Sequence, residues 1–326
     1  MIRKAAVFYN PLSGRQHRRR RQDVDAVLSV LRDAGVEVAA APTQGGGATA
    51  EQTKAAIAEG CDTVFACGGD GTIHDIAQGL VGNSTALGII PLGTANALAH
   101  DLGAPLSPLA AAKSSLTAEP RRISVGRMEY RDFEGNPASH YFLIAAGIGV
   151  DAHLFYALDP LVKRRFGMAS YYAKAIHLWL TCRLLPFSVM TKAPAEPDWA
   201  CTDASQLLAV RIRNFGGVLR ELAPGASLGR NDLRLVVFRT RSRTKFLGYV
   251  LRGLLGTNWR ISGIELRSTR NVACQYRADA SVGEKERIFV EADGELLGTL
   301  PAQISIIPDA MTLLVPPSMQ PPLRRI

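Results

Sequence analysis

The sequence predicts an α/β plus β protein: a doubly wound α/β domain over residues 1–122, to which the C-terminal segment 309–326 returns, and an antiparallel β-sandwich domain over 123–308. Three observations predict this. At 326 residues the chain exceeds the roughly 100–200 residues of one typical domain. Up to Arg122, short apolar runs alternate with amphipathic stretches, as βα units around a mostly parallel sheet require. Beyond Arg122 the texture changes to many short β-like runs separated by turn residues, the pattern of a sandwich or barrel. A composition of 47% hydrophobic and 21% charged residues supplies a core, which excludes a disordered chain.

In the first domain, strands are predicted over 4–9, 36–41, 63–67 and 86–90. Helices are predicted over 22–34, where Val24, Val27, Leu28 and Leu31 recur at helical spacing, and over 49–59, 73–80, 95–102 and 108–118. In the second domain, strands are predicted over 123–130, 141–146, 207–213, 233–238, 264–268, 288–291 and 303–307, with a helical insert at about 161–185. The Pro-rich stretches 193–197 and 316–322 read as a surface loop and a tail.

The formal net charge of +9 favours polyanionic partners: nucleotide phosphates, nucleic acid or an anionic membrane surface. Basic residues cluster at 18–21, at Lys163, Arg164 and Arg165, and at Arg239, Arg241, Arg243 and Lys245. Each is a solvated face by default, but the last two clusters adjoin apolar segments and suit an anionic lipid surface. The five cysteines show no metal-ligand spacing and leave one unpaired in any disulfide scheme, so a reducing, cytoplasmic setting is expected. Residues 1–10 read as a strand, not as a signal peptide. The most membrane-like stretch, 173–190, is broken by Lys174, His177, Arg183 and Pro186, so any contact with a membrane is peripheral.

The chemistry concentrates in glycine turns. The predicted strand at 63–67 runs into Gly68, Gly69, Asp70, Gly71 and Thr72 before a helical pattern begins. Such a turn lets the backbone approach a phosphate, which the first helical amides then face. A tight turn alone explains the glycines but not the carboxylate, which points to Mg²⁺ coordination or general-base work for Asp70. A second turn, Pro91-Leu92-Gly93-Thr94-Ala95-Asn96, follows the next strand. Both should sit at the carboxyl ends of parallel strands and face one crevice. Thr94 and Asn96 either present a hydroxyl and an amide there or cap the next helix. Weaker signals are Asn10, Ser13 and Gly14 after the first strand, and Thr43 with Gly45, Gly46 and Gly47 after the second. His74, His100 and His153 lie near these motifs and read as structural. The turn at Asp293, Gly294 and Glu295 reads on its own as a plain hairpin.

Taken in order, Asn10-Pro11-Leu12-Ser13-Gly14, Gly68-Gly69-Asp70-Gly71-Thr72 and Pro91 to Asn96 resemble the diacylglycerol kinase catalytic family, which includes bacterial lipid kinases, sphingosine kinases and ceramide kinases. The resemblance continues through Ala145-Ala146-Gly147-Ile148-Gly149, Ala223-Pro224-Gly225-Ala226-Ser227-Leu228 and Asp293-Gly294-Glu295, covering nearly the whole chain. It implies a Rossmann-like nucleotide domain of the NAD kinase and phosphofructokinase type, ATP over the glycine turns and Mg²⁺ on its phosphates. It also implies a membrane lipid hydroxyl entering between the domains. By that likeness Asn10, Ser13, Gly14, Thr43, Gly68, Gly69, Gly71, Thr72, Thr94 and Asn96 line the nucleotide side. Asp70 is the metal-side carboxylate, and Asp70, Asp293 and Glu295 are the candidate catalytic groups, with the base left open among them. The enzyme would work at the cytoplasmic face of a membrane, as a monomer or homodimer, without nucleic acid.

Three departures stand out. Ala97 replaces a frequent Asp, Arg230 stands where bacterial members hold a structural cation, and Ile73-His74-Asp75 replaces a more usual Asn and Glu pair. A soluble NAD kinase and a catalytically decayed lipid- or nucleotide-binding scaffold are the competing readings.

Overall fold

The computed structural model describes residues 2–11, 17–149, 183–192, 200–216, 221–255, 260–278 and 287–316. Its first half is built on four parallel strands in the order β4-β3-β1-β2, namely β1 (Lys4–Tyr9), β2 (Glu37–Pro42), β3 (Thr63–Gly68) and β4 (Ala86–Pro91). Every residue of β3 and β4 is buried, as central strands covered on both faces must be. Side chains alternate between the faces: Val64 and Ala66 enter one core while Phe65 and Cys67 enter the other.

Helices cover both faces. On one, α1 (His17–Asp33) contributes Val24, Val27, Leu28 and Leu31, and α5 (Pro108–Leu116) contributes Ala111 and Ala112. On the other lie α2 (Gly46–Ala58), α3 (Asp70–Leu80) and α4 (Ala97–Asp101), through Ala56, Ile76, Leu80 and Leu98. The expected doubly wound arrangement is therefore present. Helix α3 begins at Asp70, three residues before the predicted start, because the glycine turn is itself the first helical turn.

The second half is an antiparallel sandwich. One layer runs β12-β11-β10-β7-β14-β15, comprising β7 (Ala145–Gly149), β10 (Gln206–Val210), β11 (Leu233–Phe238), β12 (Ile264–Thr269), β14 (Phe289–Ala292) and β15 (Glu295–Val315). The other runs β6-β5-β15-β13-β8-β9, comprising β5 (Glu119–Arg131), β6 (Pro137–Phe142), β8 (Phe187–Thr191), β9 (Ala200–Ala204) and β13 (Asn271–Tyr276). Met128, Phe142, Ile148, Phe187, Leu235, Val272 and Val290 fill the core between them. Strand β15 belongs to both halves: it pairs with β14, β13 and β5, shifts register after Ile307, and then lays Thr312 and Leu313 parallel to Ala86 and Leu87 of β4. Arg122 pins this shift, donating to the carbonyls of Asn83 and Asp309 and to the Thr312 hydroxyl.

Several elements differ from the sequence reading. The single strand expected over 141–146 is two, β6 and β7, interrupted at Leu143 and Ile144. Strands β8, β9 and β13 are short, and β9 (ACTDA) lacks apolar alternation, so neighbours across the sheet rather than local pattern make them strands. Helix α6 (Arg243–Leu255) begins inside a charge cluster that masks its apolar face. The predicted insert at 161–185, apart from its last three residues, lies outside the described residues, as do Ser13, Gly14, His153, the 163–165 cluster and the Pro-rich stretch 193–197.

Candidate active site

The four parallel strands end at one edge, and backbone bonds hold the loops that leave it side by side. The amide of Asn10 donates to Cys67 O at 3.4 Å, that of Thr43 to Tyr9 O at 2.9 Å, and that of Leu92 to Gly68 O at 2.8 Å. Asn10, Thr43, Gly68, Gly69 and Gly93 therefore share the edge where ligands of open parallel sheets bind. The two glycine turns touch. A Cβ on Gly93 would lie 2.5 Å from Gly69 Cα, which leaves no room for one there, and one on Gly69 would lie 3.2 Å from Gly93 Cα, a tight contact. A Cβ on Gly68 would meet Thr72 Oγ1 at 2.2 Å, since the buried Thr72 side chain packs against that strand end. Gly71 and Thr94 are exposed at the same edge.

Asn96 departs from the capping expectation. Its backbone is left-handed (φ 49°), its Oδ1 accepts from Gly93 N and its Nδ2 donates to Gly93 O, both at 3.0 Å. The amide closes its own turn and makes no capping hydrogen bond to α4. Its role is to hold Gly93 against Gly69.

Asp70 links the two turns. Its Oδ1 accepts from Leu98 N at 3.3 Å, which places a carboxylate of the first turn of α3 at the start of α4. Burial raises its pKa, the Ala97 and Leu98 amides oppose that shift, and the charge of Asp293 adds to it. The turn therefore has a structural use for this carboxylate that the sequence reading did not include.

The second half enters through a hairpin. Asp293 (φ 51°) and Gly294 (φ 86°) form the two-residue turn between β14 and β15, both left-handed, as a type I′ turn requires. The plain-hairpin reading is right about the backbone and incomplete about the side chain. Asp293 Oδ1 accepts from Ile144 N (2.8 Å) and Ala145 N (3.0 Å), and its Oδ2 accepts from Leu143 N at 2.9 Å. His74 Nδ1 lies 3.2 Å from Oδ2, so the break between β6 and β7 serves to present amides to this carboxylate. Glu295 is freer: its side chain is 44% exposed, with Oε2 3.7 Å from His74 Nε2. Gly71 reaches the same place, since a Cβ there would lie 3.9 Å from Glu295 Oε1.

His74 joins the halves, and sequence reasoning gave it only a structural part. One turn further along α3, Gln78 exchanges two hydrogen bonds with the backbone of Tyr141, which seats His74 against His140 of β6. The two rings stack at 4.8 Å and 11°. Burial opposes a charge on His74, but the Asp293 hydrogen bond and the charges of Asp293 and Glu295 outweigh it and raise its pKa. His140 is driven the other way, to about 4, by burial and then by His74. Asp75 is pushed up to about 6 by burial and then by Glu295, which brings a second carboxyl group here toward neutral titration. The Asn-to-His and Glu-to-Asp departures at 74 and 75 were the signal.

The oxygen donors at Asp70 and the adjoining glycine amides suit a nucleotide polyphosphate with Mg²⁺, which keeps few protein ligands and takes others from phosphate. Asp70 would hold the ion, which neutralises phosphate charge when bound. The structural cation of bacterial members does not fit. Arg211, wholly buried, donates from Nη1 to Arg230 O and Asp232 O and from Nη2 to Ser124 O and Leu228 O. The carboxylate of Asp232 pairs with Arg230. A guanidinium thus already gathers the carbonyls of this loop, at a cost in desolvation that lowers the Arg211 pKa to about 10.

Comparison with known proteins agrees with this layout. Residues 4–128 match the diacylglycerol kinase catalytic domain, and residues 145–315 match the YegS C-terminal NAD kinase beta sandwich-like domain. A Mycobacterium tuberculosis diacylglycerol kinase is 30% identical over 322 residues, 97% of this chain and 96% of that one. A Bacillus subtilis diacylglycerol kinase is 29% identical over 307 residues, 93% of each. A solved diacylglycerol kinase from Bacillus anthracis superposes with a TM-score of 0.69 at 18% identity, covering 98% of both chains, a likeness of fold.

Proposed function

The chain belongs to the diacylglycerol kinase family, and from that premise we propose that it transfers the γ-phosphoryl group of ATP to a hydroxyl of a membrane lipid. One observation carries the reading: the abutting glycine turns, with Asp70 between them, meet the Asp293–Glu295 hairpin of the other half across α3. Phosphoryl transfer needs positioning and charge neutralisation more than covalent chemistry, and these groups supply both.

In this reading the edge amides and the start of α3 would bind the phosphates, and Asp70 would hold Mg²⁺. Glu295 takes the proton of the lipid hydroxyl. It is preferred to Asp293, whose two oxygens already accept three amide hydrogens and contact His74, which suits a group that fixes the hairpin.

A membrane-borne acceptor is supported by α6. Leu247, Leu251 and Leu255 are 46%, 43% and 65% exposed and recur every four residues, while Phe246 and Tyr249 face the core. Arg241, Arg243 and Lys245 lie at the start of this stripe, so anionic lipid at the cytoplasmic face is the surface we propose it meets.

The test is transfer of labelled γ-phosphate from Mg-ATP to diacylglycerol, monoacylglycerol, ceramide, sphingosine and phosphatidylglycerol in mixed micelles, with NAD as the soluble control. A labelled lipid is expected. Labelled NADP, or tight ATP binding without any product, would sink the assignment.

A further inference from the structure

We propose that His74, His140 and Glu295 form a site for a borderline transition-metal ion, Zn²⁺ in the first place, distinct from the Mg²⁺ position at Asp70. One nitrogen of each histidine and a Glu295 oxygen lie within 4.8 Å of one another. His74 Nε2 is buried without a hydrogen-bond partner, although its Nδ1 is held by Asp293. With one ring proton assigned to Nδ1 from that contact, a metal would take the place at Nε2, facing Glu295, that a second proton holds in the imidazolium form. A carboxylate holding the far nitrogen of an imidazole is the arrangement that orients metal-ligating histidines.

The donor chemistry selects the ion. Two imidazoles and one carboxylate suit Zn²⁺ and its neighbours, whereas Mg²⁺ prefers oxygen alone. Three protein ligands leave a fourth position open. Tetrahedral Zn²⁺ with bonds of about 2.0–2.1 Å needs ligand atoms about 3.3 Å apart. Closing from 4.8 Å requires small rotations of Glu295, 44% exposed, and of the half-buried His140, while His74 stays fixed. Two further carboxyl groups act on this cluster, Asp293 on both histidines and Asp75 near Glu295 and His74, and can compensate an added cation.

Such an ion would occupy the carboxylate to which proton removal is assigned above, so it would inhibit. That consequence rests on the kinase reading; the binding does not. The full chain should take up one Co²⁺, the spectroscopic stand-in, with visible d–d bands that Zn²⁺ abolishes and millimolar Mg²⁺ leaves in place. His140→Ala, or His140→Gln if the alanine variant folds poorly, should weaken uptake at least tenfold while a Cys201→Ala control does not. Equal Co²⁺ affinity in wild type and both His140 variants, or displacement by Mg²⁺, would overturn the site. In lipid kinase assays, micromolar Zn²⁺ should inhibit wild type, and His140→Ala should lose that inhibition when each is compared with its own metal-free rate. A chain inactive on every lipid would defeat the kinase reading and leave the Co²⁺ result standing.

Discussion

The two halves of the molecule hold their carboxylates by opposite means. At the sheet edge, Asp70 is placed by backbone shape: two glycines pass so closely that Gly93 has no room for a Cβ, and the Ala97 and Leu98 amides steady the side chain. At the hairpin, Asp293 is placed by saturation, with three amides and His74 around a side chain that is 2% exposed. A group held by backbone shape keeps bonding capacity for ligand and metal, whereas a saturated group is a fixed point. The nucleotide side therefore depends on what is missing at Gly69 and Gly93, and the acceptor side on what is present around Asp293.

The comparison breaks most visibly at Gly93. In Gly93→Ala the new Cβ meets backbone that cannot rotate away, so the turns must separate, at a cost of about 3 kcal/mol. Chemical denaturation should show that loss, and nucleotide binding should fail even where the fold survives. The next effect is at the hairpin. Asp293→Asn turns an NH₂ group toward amides or toward His74 whichever way it rotates, leaving buried donors unpaired at about 2–3 kcal/mol. A melting point within 1 °C of wild type would show that Asp293 is not a fixed point, since about 1 kcal/mol shifts Tm by ~2–4 °C in a chain of this size.

How much of this was readable beforehand follows from the same division. Glycine turns after strands are local signals, so Gly68, Gly69, Asp70 and Gly93 could be placed at one edge from sequence alone. The side-chain roles could not. Asn96 sits at a cap position, and only its backbone φ of 49° reveals that it folds back onto Gly93. His74 and His140 are 66 residues apart and meet only because Gln78 clamps α3 to β6. The same holds for Arg211, whose four carbonyl partners come from two separate segments. Strands β8, β9 and β13 are set by pairing across the sandwich, which local periodicity does not report.

Asp70→Asn sharpens the contrast by separating function from stability. The Asn oxygen can still accept from Leu98 N, so unfolding free energy should stay within about 1 kcal/mol of wild type. Loss of the charge proposed to hold the metal should nevertheless cut transfer by about 10³-fold. A variant that is equally stable and retains a tenth of the rate would remove Asp70 from the chemistry.

The smallest expected effect tests whether a half-buried carboxylate between the halves follows the same logic. Asp101 ends α4, and its Oδ1 accepts from Arg213 N and Asn214 N, both at 2.9 Å, which ties the sheet edge to the sandwich. Burial is the largest influence on it and raises its pKa above the ordinary 3.8 despite those amides and the charge of Arg213. A raised acid is at its most stabilising below its unfolded pKa, and that contribution is lost as pH rises through the folded value. Asp101→Asn keeps the accepting oxygen and never ionises. It should therefore match wild type near pH 3 and become the more stable protein, by less than about 1 kcal/mol, as the pH is raised to neutrality. If denaturation curves at the two pH values show the opposite order, the amides outweigh burial, and Asp101 is an anchor of the Asp293 kind.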